Sequence, residues 1–252
     1  MKRIVFLGLT IIGLLCLVAG CGNKAQQNDE NNHLTISAAA SLTDVTKELE
    51  KAFKKEHPNA VIEFNYGGSG ALRQQIEKGA PVDVFMSANT KDVKTLKTKG
   101  KVKASYAYAH NKLILIKQRG ASSQSLDQLQ QNTHVAMGEV ASVPAGKYAK
   151  MYLESQGLWK KVEPHVVYTK DVREVLNYVD KGNAQYGFVY QTDLYAGNTQ
   201  DTNVEKVKDA QLKQPITYEM GRISDDTLSK AWVTFMKSKQ AQSILKQYHF
   251  EQ

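Results

Sequence analysis

The sequence predicts an α/β fold with mainly parallel sheets flanked by helices. Short apolar segments alternate along the chain with segments whose apolar residues recur at helical spacing, as Leu42, Val45 and Leu49 do. Two of the apolar segments, residues 82–86 and 113–116, are typical of strands that are buried on both faces of a parallel sheet. Such an alternation of strands and helices is the pattern of α/β proteins.

Length and composition are those of a folded globular protein. The chain has 252 residues, 42% of them hydrophobic and 23% charged, which suits one large domain or two smaller ones and excludes wholesale disorder and a protein with many membrane spans. Its 2 cysteines, Cys16 and Cys21, both lie near the N-terminus. A disulfide framework, a structural zinc cluster and a cysteine nucleophile in the body are therefore excluded.

The N-terminus predicts an export signal. Lys2 and Arg3 precede an apolar run, residues 4–18, which is short for a membrane span but suits a secretory signal. Small residues directly before Cys21 resemble the lipobox of bacterial lipoproteins. This resemblance implies a signal peptide over residues 1–20 and lipid attachment at Cys21. An uncleaved signal anchor and a plain secreted protein are the alternatives.

The segment after the signal predicts a flexible tether. Residues 21–33 contain almost no apolar side chain that could be buried. We expect the folded part to begin at residue 34 and to work outside the cytoplasm, anchored by lipid to the cell membrane.

Four predicted strand-to-helix turns are rich in small residues. They are Ala39-Ala40-Ser41, Gly68-Ser69-Gly70, Pro144-Ala145-Gly146 and Lys170-Asp171-Val172. Parallel sheets bind ligands at such turns, and helix N-termini present free N–H groups and partial positive charge. Taken alone, each turn is also explained by the preference of serine for helix N-caps and of glycine for turns. Ser41, with Asp44 three residues later, resembles such a cap, the capping box. The recurrence of these turns favours an anion-binding cleft.

Other functions fit the sequence less well. Residues 67–71 come close to the G-x-S-x-G motif of serine hydrolases, with Ser69 as nucleophile, but Ala71 replaces the last glycine. The 6 histidines are scattered and no H-E-x-x-H motif occurs, so no metal site is predicted. The net charge of +8 suggests an anionic partner. Lysines spread among acids on predicted helices nevertheless argue against nucleic acid.

The body of the sequence resembles the molybdate-binding components of bacterial ABC importers. The segments that carry this resemblance are Ala38-Ala39-Ala40-Ser41-Leu42-Thr43, Gln75-Ile76-Glu77-Lys78-Gly79-Ala80-Pro81-Val82-Asp83, Val143-Pro144-Ala145-Gly146-Lys147-Tyr148-Ala149, Asp171-Val172-Arg173 and Gly187-Phe188-Val189-Tyr190. The resemblance implies a type II periplasmic-binding-protein-like fold with two lobes and a ligand cleft between them. It implies a non-enzymatic monomer without a cofactor, which binds molybdate or tungstate and docks on the permease subunits of an ABC transporter.

The resemblance also implies the site. The ligand-binding residues would be Ser41 and Ser69 in the first lobe, and Ala145, Val172 and Tyr190 in the second. Serine and tyrosine hydroxyls and backbone N–H groups would bind the oxyanion. In one departure, Gly67-Gly68 replaces a stretch that is richer in hydroxyls in the family.

The expected boundaries are residues 34–111 and 216–252 for the first lobe and 112–215 for the second, with hinges near residues 111–112 and 214–215. None of the five site residues is Asp or Glu, the acceptor that a protonated oxyanion such as hydrogen phosphate needs. A fully deprotonated oxyanion is therefore favoured, and a metal cation is not expected. A receptor for sulfate or another small oxyanion is the alternative, and a serine hydrolase is the remote one.

Overall fold

Strands and helices alternate along the chain. The computed structural model describes residues 32–196, 199–200 and 203–252, so the predicted signal peptide, Cys21 and most of the predicted tether lie outside the described residues. The strands are β1 (His33–Ala39), β2 (Val61–Gly67), β3 (Val84–Ser87), β4 (Ala104–Asn111), β5 (Leu113–Gln118), β6 (Val135–Gly138), β7 (Val166–Thr169), β8 (Tyr186–Tyr190), β9 (Tyr195–Ala196), β10 (Thr199–Gln200), β11 (Val204–Asp209) and β12 (Ile216–Arg222). The helices are α1 (Thr43–Phe53), α2 (Ser69–Glu77), α3 (Thr90–Thr98), α4 (Pro144–Ser155), α5 (Trp159–Val162), α6 (Val172–Asp180), α7 (Thr227–Met236) and α8 (Lys239–Gln247).

Two mixed sheets organise the described residues. The first has the strand order β2-β1-β3-β12-β4 and packs against α2, α3 and α7. Next to these helices, α1 packs against α8 and, through Phe53, against Trp232 of α7. The second has the order β11-β5-β8-β6-β7 and packs against α4 and α6. We call each sheet with its helices a lobe. The predicted α/β class is confirmed, with two sheets flanked by helices.

The prediction of mainly parallel sheets is wrong. In the first sheet β1 pairs in parallel with β2 and β3, but β12 runs antiparallel to both β3 and β4. In the second, β6 is parallel to β7 and β8, but β5 is antiparallel to β8 and β11. The chain leaves the first sheet along β4 and returns to it along β12, next to β4. Outgoing and returning strands that lie side by side run in opposite directions.

The two crossings between the sheets are short and adjacent. β4 ends at Asn111 and β5 begins at Leu113, while β11 ends at Asp209 and β12 begins at Ile216. Ile216 pairs with Asn111, so the two crossing segments lie side by side. The segments 111–112 and 214–215, for which hinges are predicted, both lie in these crossings.

Each lobe has a buried apolar interior on which its helices pack. In the first lobe Trp232 is fully buried and its ring centre lies 5.2 Å from that of Phe53. In the second lobe the apolar face of α6, with Val175 and Val179, packs against β8. Within the described part of the chain, none of the helices combines the length and the apolar character that crossing a membrane requires.

Candidate functional site

A small pocket lies between the two lobes, where four helical segments begin. It is lined by Ala39, Ala40, Ser41, Gly67, Gly68, Ser69, Ala88, Val143, Pro144, Ala145, Val172 and Tyr190. The structure thus brings all five predicted site residues together around one space. Its cavity volume is about 10 Å³, which is about the room that one water molecule needs.

The pocket offers hydrogen-bond donors without formal charge. A 3-10 turn over Ala40–Leu42 leads into α1, and α2, α4 and α6 begin at Ser69, Pro144 and Val172. The first N–H groups of a helix have no partner within it and carry a partial positive charge. Among the described residues that line the pocket, none has a charged side chain. The arrangement can therefore hold an anion through neutral donors.

Ser41 points away from the helix that it was predicted to cap. Its Oγ lies 2.8 Å from the Tyr218 hydroxyl oxygen, across the first lobe. The N-cap of α1 is Leu42, and no side chain caps this helix. The predicted N-cap role of Ser41 is wrong, because the 3-10 turn before α1 places Ser41 a full residue ahead of the cap.

Ser69 is the first residue of α2 and is fully buried. Its Oγ accepts a hydrogen bond from the backbone N–H of Ala88 at 3.0 Å. Because this bond occupies an acceptor position of the oxygen, the hydroxyl hydrogen is left to donate elsewhere.

Ala145 and Val172 contribute main-chain groups to the pocket. Ala145 is the second residue of α4, after Pro144, and Val172 is the first residue of α6. Both side chains are buried. Since the N-cap side chain of α6, Asp171, accepts from the N–H of Glu174, it leaves the N–H of Val172 to the pocket.

Tyr190 ends β8 and reaches the pocket with a buried hydroxyl that has no hydrogen-bond partner among the described residues. Burial, reinforced by the neighbouring Tyr218, Tyr148 and Asp193, raises the pKa of Tyr190 well above its ordinary value. The hydroxyl therefore keeps its proton and can donate it to a ligand. Its backbone N–H donates to Asp193 Oδ2 at 2.9 Å.

An ion-pair network that the sequence did not reveal runs beside the pocket. Arg173 Nη2 lies 2.7 Å from Asp44 Oδ2 in the other lobe, and Arg173 Nε lies 3.1 Å from Asp193 Oδ1. Burial raises the pKa of Asp193 to about 6, although Arg173 works against this shift. The network joins α1 to α6 and supports the backbone of Tyr190.

The lobes touch through backbone next to the pocket. The N–H of Gly70 donates to the carbonyl oxygen of Ser142 in the second lobe at 2.9 Å. A Cβ on Gly68 would lie 2.8 Å from Ser142 O and 3.0 Å from Lys170 O. Glycine at position 68 is therefore what allows this close approach, which gives the Gly67-Gly68 turn a steric role.

A larger pocket of about 540 Å³ lies at the crossing segments. Its walls include Lys112, Lys206 and Asp209, and none of the five predicted site residues. Lys112 and Lys206 are already paired with Glu251 and Asp209. Unlike the smaller pocket, this one has charged side chains in its lining, Lys213 among them.

The two lobes, the paired crossings and the donor-lined pocket between them define a binding protein with two lobes. The chain belongs to the bacterial extracellular solute-binding proteins, whose family model matches residues 34–251.

Individual relatives agree with this class. The chain is 36% identical over 243 residues to YvgL of Bacillus subtilis, named as an ABC transporter substrate-binding lipoprotein, with 93% of each chain covered. It is 31% identical to the molybdate-binding protein ModA of Haemophilus influenzae, covering 96% of this chain and 98% of ModA. A solved structure, described as the substrate-binding domain of a molybdenum ABC transporter from Clostridium difficile, is 35% identical with a TM-score of 0.64 over 87% of this chain and 98% of that chain.

Proposed function

We propose that this protein captures molybdate, and also tungstate, outside the cytoplasm and delivers it to an ABC permease. The observation that carries this proposal is the pocket in which helix N-termini and three hydroxyls meet without a charged side chain. A dianion that leaves water must regain its hydrogen bonds, and each bond to a charged group contributes about 1.5–3 kcal/mol. The five residues Ser41, Ser69, Ala145, Val172 and Tyr190 would supply these donors.

The lining supports a fully deprotonated oxyanion. Hydrogen phosphate carries a proton that needs an acceptor, and a carboxylate is the usual one. Neither Asp nor Glu is found among the described residues that line the pocket. Sulfate shares the charge and shape of molybdate, so a sulfate receptor of the same fold is the second candidate. The names of the relatives ModA and YvgL support molybdate over sulfate and delivery to a transporter.

The pocket supports binding rather than catalysis. A serine hydrolase needs a base within hydrogen-bond reach of its nucleophile. No histidine stands among the described residues of the lining, and Ser69 Oγ is engaged with the N–H of Ala88. We therefore propose a receptor that is not an enzyme and works without a cofactor.

Location and movement complete the proposal. A lipid on Cys21 would hold the protein at the outer face of the cell membrane, as the lipoprotein name of YvgL suggests for that relative. Residues 34–111 and 216–252 would move as one lobe and 112–215 as the other, about hinges at the crossings. The protein would act as a monomer that presents its closed form to the permease subunits.

Calorimetric titration with molybdate, tungstate, sulfate and phosphate tests the function. We expect heat and a raised melting temperature with molybdate and tungstate, because a ligand that binds only the folded state stabilises it by mass action. Competition should show weaker binding of sulfate and the weakest binding of phosphate. Neither heat nor a melting shift with molybdate or tungstate would refute the proposal, and tighter binding of sulfate would favour the second candidate.

The substitution Val172→Pro tests the site, because it removes a single backbone donor. Proline is accepted at the first position of a helix, and the extended backbone of Asp171 suits the residue before it. We expect molybdate affinity to fall by about 10- to 100-fold, the value of one hydrogen bond to a charged ligand.

Thr90→Pro is the matched control for this experiment. Thr90 is the first residue of α3, and its N-cap Asn89 has nearly the same backbone angles as Asp171. This variant should keep its affinity within about twofold, since its N–H lies outside the pocket. Equal affinities of the two proline variants would remove Val172 from the proposed site.

A further inference from the structure

We infer that Tyr218 and Asn111 fix the direction of the Ser41 hydroxyl, so that its hydrogen is donated into the pocket. Neither residue is among those that line the pocket. They are positioning residues, and through Ser41 they help to select fully deprotonated oxyanions. This inference rests on the proposed function for its ligand, but the direction of the hydroxyl can be observed without one.

The chain of hydrogen bonds begins at the side-chain amide of Asn111, which is buried. Its Oδ1 accepts from the backbone N–H of Lys112 at 2.9 Å, which identifies the oxygen end of the amide. Its Nδ2 then faces Thr192 Oγ1 at 2.8 Å and the Tyr218 hydroxyl oxygen at 3.3 Å. An amide NH₂ group only donates hydrogen bonds, so the Tyr218 oxygen must accept from it.

Tyr218 is the hydrogen-bond link between Asn111 and Ser41. The Tyr218 side chain is fully buried, and its hydroxyl bonds to Asn111 and Ser41. The neighbouring Tyr190, whose ring centre lies 5.7 Å away, has a pKa raised by burial and in part by Tyr218, the direction in which Tyr190 donates rather than accepts. Because the oxygen accepts from Asn111, the hydroxyl proton is directed to Ser41 Oγ at 2.8 Å. Burial first, and then the nearby Asp193, raise the pKa of Tyr218 well above its ordinary value. The tyrosine therefore always has a proton to give.

Ser41 must then direct its own hydrogen elsewhere. Its Oγ accepts the Tyr218 proton, and the remaining space that it borders is the pocket. Ser69 is in the same state, since its Oγ accepts from Ala88, and the unpartnered Tyr190 hydroxyl is protonated. All three hydroxyls of the pocket are thereby available as donors. These donors match an oxyanion whose oxygens all accept, whereas the proton of hydrogen phosphate would compete with the serine hydrogens for the same space.

Tyr218→Phe tests the inference by removing one oxygen atom. Without Tyr218 the Ser41 hydroxyl can rotate and accept, so discrimination against a protonated oxyanion should weaken. We expect the ratio of molybdate affinity to phosphate affinity to fall by about tenfold or more, measured where phosphate carries a single proton. Molybdate affinity itself should fall by less than about tenfold, because a freely rotating serine can still donate.

Tyr108→Phe is the matched control. Tyr108 is buried beside Tyr218 with its ring centre 6.2 Å away, and its hydroxyl has no partner among the described residues. Its loss removes the same atom from the same region but leaves the bonds between Asn111, Tyr218 and Ser41 intact. The affinity ratio should stay within about twofold of the wild type. An unchanged ratio in Tyr218→Phe as well would overturn the inference.

Neutron diffraction of the wild-type protein decides the direction directly and needs no variant. Deuterium on the Tyr218 oxygen, pointing at Ser41 Oγ, supports the inference. Deuterium on Ser41 Oγ, pointing at Tyr218, overturns it. If the wild type bound no molybdate, tungstate or sulfate, the proposed function would fail, while the neutron map would still settle the direction of the hydroxyl.

Discussion

The two lobes contribute to the pocket in different ways. The first lobe supplies the hydroxyls of Ser41 and Ser69, and each is held by a hydrogen bond inside its own lobe. The second lobe supplies main-chain groups at two helix starts and the hydroxyl of Tyr190, which has no partner among the described residues. The hydroxyl oxygens of the first lobe thus each have a hydrogen-bond partner before a ligand arrives, whereas the Tyr190 hydroxyl of the second lobe has none among the described residues.

This difference separates stability from binding. A side chain that is hydrogen-bonded within its lobe contributes to folding and to the ligand site together. A buried hydroxyl without a partner lowers the stability of the folded protein, and the protein recovers this stability only when a ligand accepts a hydrogen bond from the hydroxyl. Variants of the two halves should therefore have opposite effects on the ligand-free protein.

The largest expected loss of molybdate affinity comes from a variant that keeps the two lobes apart next to the pocket. In Gly68→Ala the new methyl group would overlap backbone oxygens of Ser142 and Lys170 in the second lobe. Overpacking of this kind costs about 1–3 kcal/mol, so molybdate affinity measured by calorimetry should fall by up to about a hundredfold. The stability of the ligand-free protein should change less, since a small opening between the lobes relieves the overlap.

The neighbouring variant Gly67→Ala is the control for this effect. A Cβ on Gly67 would lie 3.5 Å from Leu72 Cδ2 in its own lobe, which is an ordinary contact. Its molybdate affinity should exceed that of Gly68→Ala by at least about tenfold. Equal losses in both variants would mean that the approach of the lobes does not depend on Gly68.

The intermediate effect distinguishes Ser69 from Tyr190. Ser69→Ala and Tyr190→Phe should each weaken molybdate binding by about tenfold or more. In denaturant unfolding without ligand, Ser69→Ala should lose about 1–3 kcal/mol because the Ala88 N–H is left unpaired. Tyr190→Phe should be as stable as the wild type or more stable. A stability loss in Tyr190→Phe as large as that in Ser69→Ala would contradict the comparison.

The smallest expected effect is the change in folding stability with pH that Asp193 causes. Asp193 accepts a hydrogen bond from the backbone N–H of Tyr190 in the second lobe. Its pKa is raised from 3.8 to about 6, mainly by burial, while Arg173 opposes the shift. A raised carboxyl pKa favours the protonated form in the folded state. The contribution of Asp193 to stability is therefore full below about pH 4 and is lost as the pH rises through about 6, by at most about 1.4 kcal/mol per pH unit.

Unfolding of the wild type and of Asp193→Asn at several pH values measures this contribution. The free energy of unfolding of the wild type relative to the variant should rise as the pH falls. Asp226, in the first lobe, provides the opposite control. Burial raises its pKa, but hydrogen bonds from Ser224 and Ser229 outweigh burial and lower it. The free energy of unfolding of the wild type relative to Asp226→Asn should therefore fall as the pH falls. A difference for Asp193→Asn that does not vary with pH would rule out the assigned titration.

The local signals in the sequence predicted much of the fold. The apolar strands and the small-residue turns are local patterns, and the five residues proposed from the resemblance do line one pocket. The strand β12 alternates buried residues with half-buried Thr217 and Glu219, which is a pattern of strands. Its antiparallel pairing with β3 and β4, like that of β5 with β8 and β11, joins distant parts of the chain and has no local signal. The expectation of mainly parallel sheets was wrong for this reason.

The supports of the site could not be predicted, because they depend on contacts between distant parts of the chain. Ser41 and Tyr218 are 177 residues apart in the sequence, and no local pattern links them. Likewise, Arg173 belongs to a segment that carries the family resemblance, but its pairing with Asp44 depends on the distance between the lobes. Spacing identifies helix starts, whereas the partner of a buried hydroxyl is known only from the packed structure.

The position of Asn111 has a consequence for how such a protein can change over evolution. Asn111 is the last residue of β4, immediately before the chain enters the second lobe, and its amide also bonds Thr192 of that lobe. If the lobes move about this joint as proposed, one side chain would take part in both their movement and the inferred choice of ion. A substitution that adjusts the speed of opening there would then also alter which ions are accepted. Uptake rate and selectivity would evolve together at this residue.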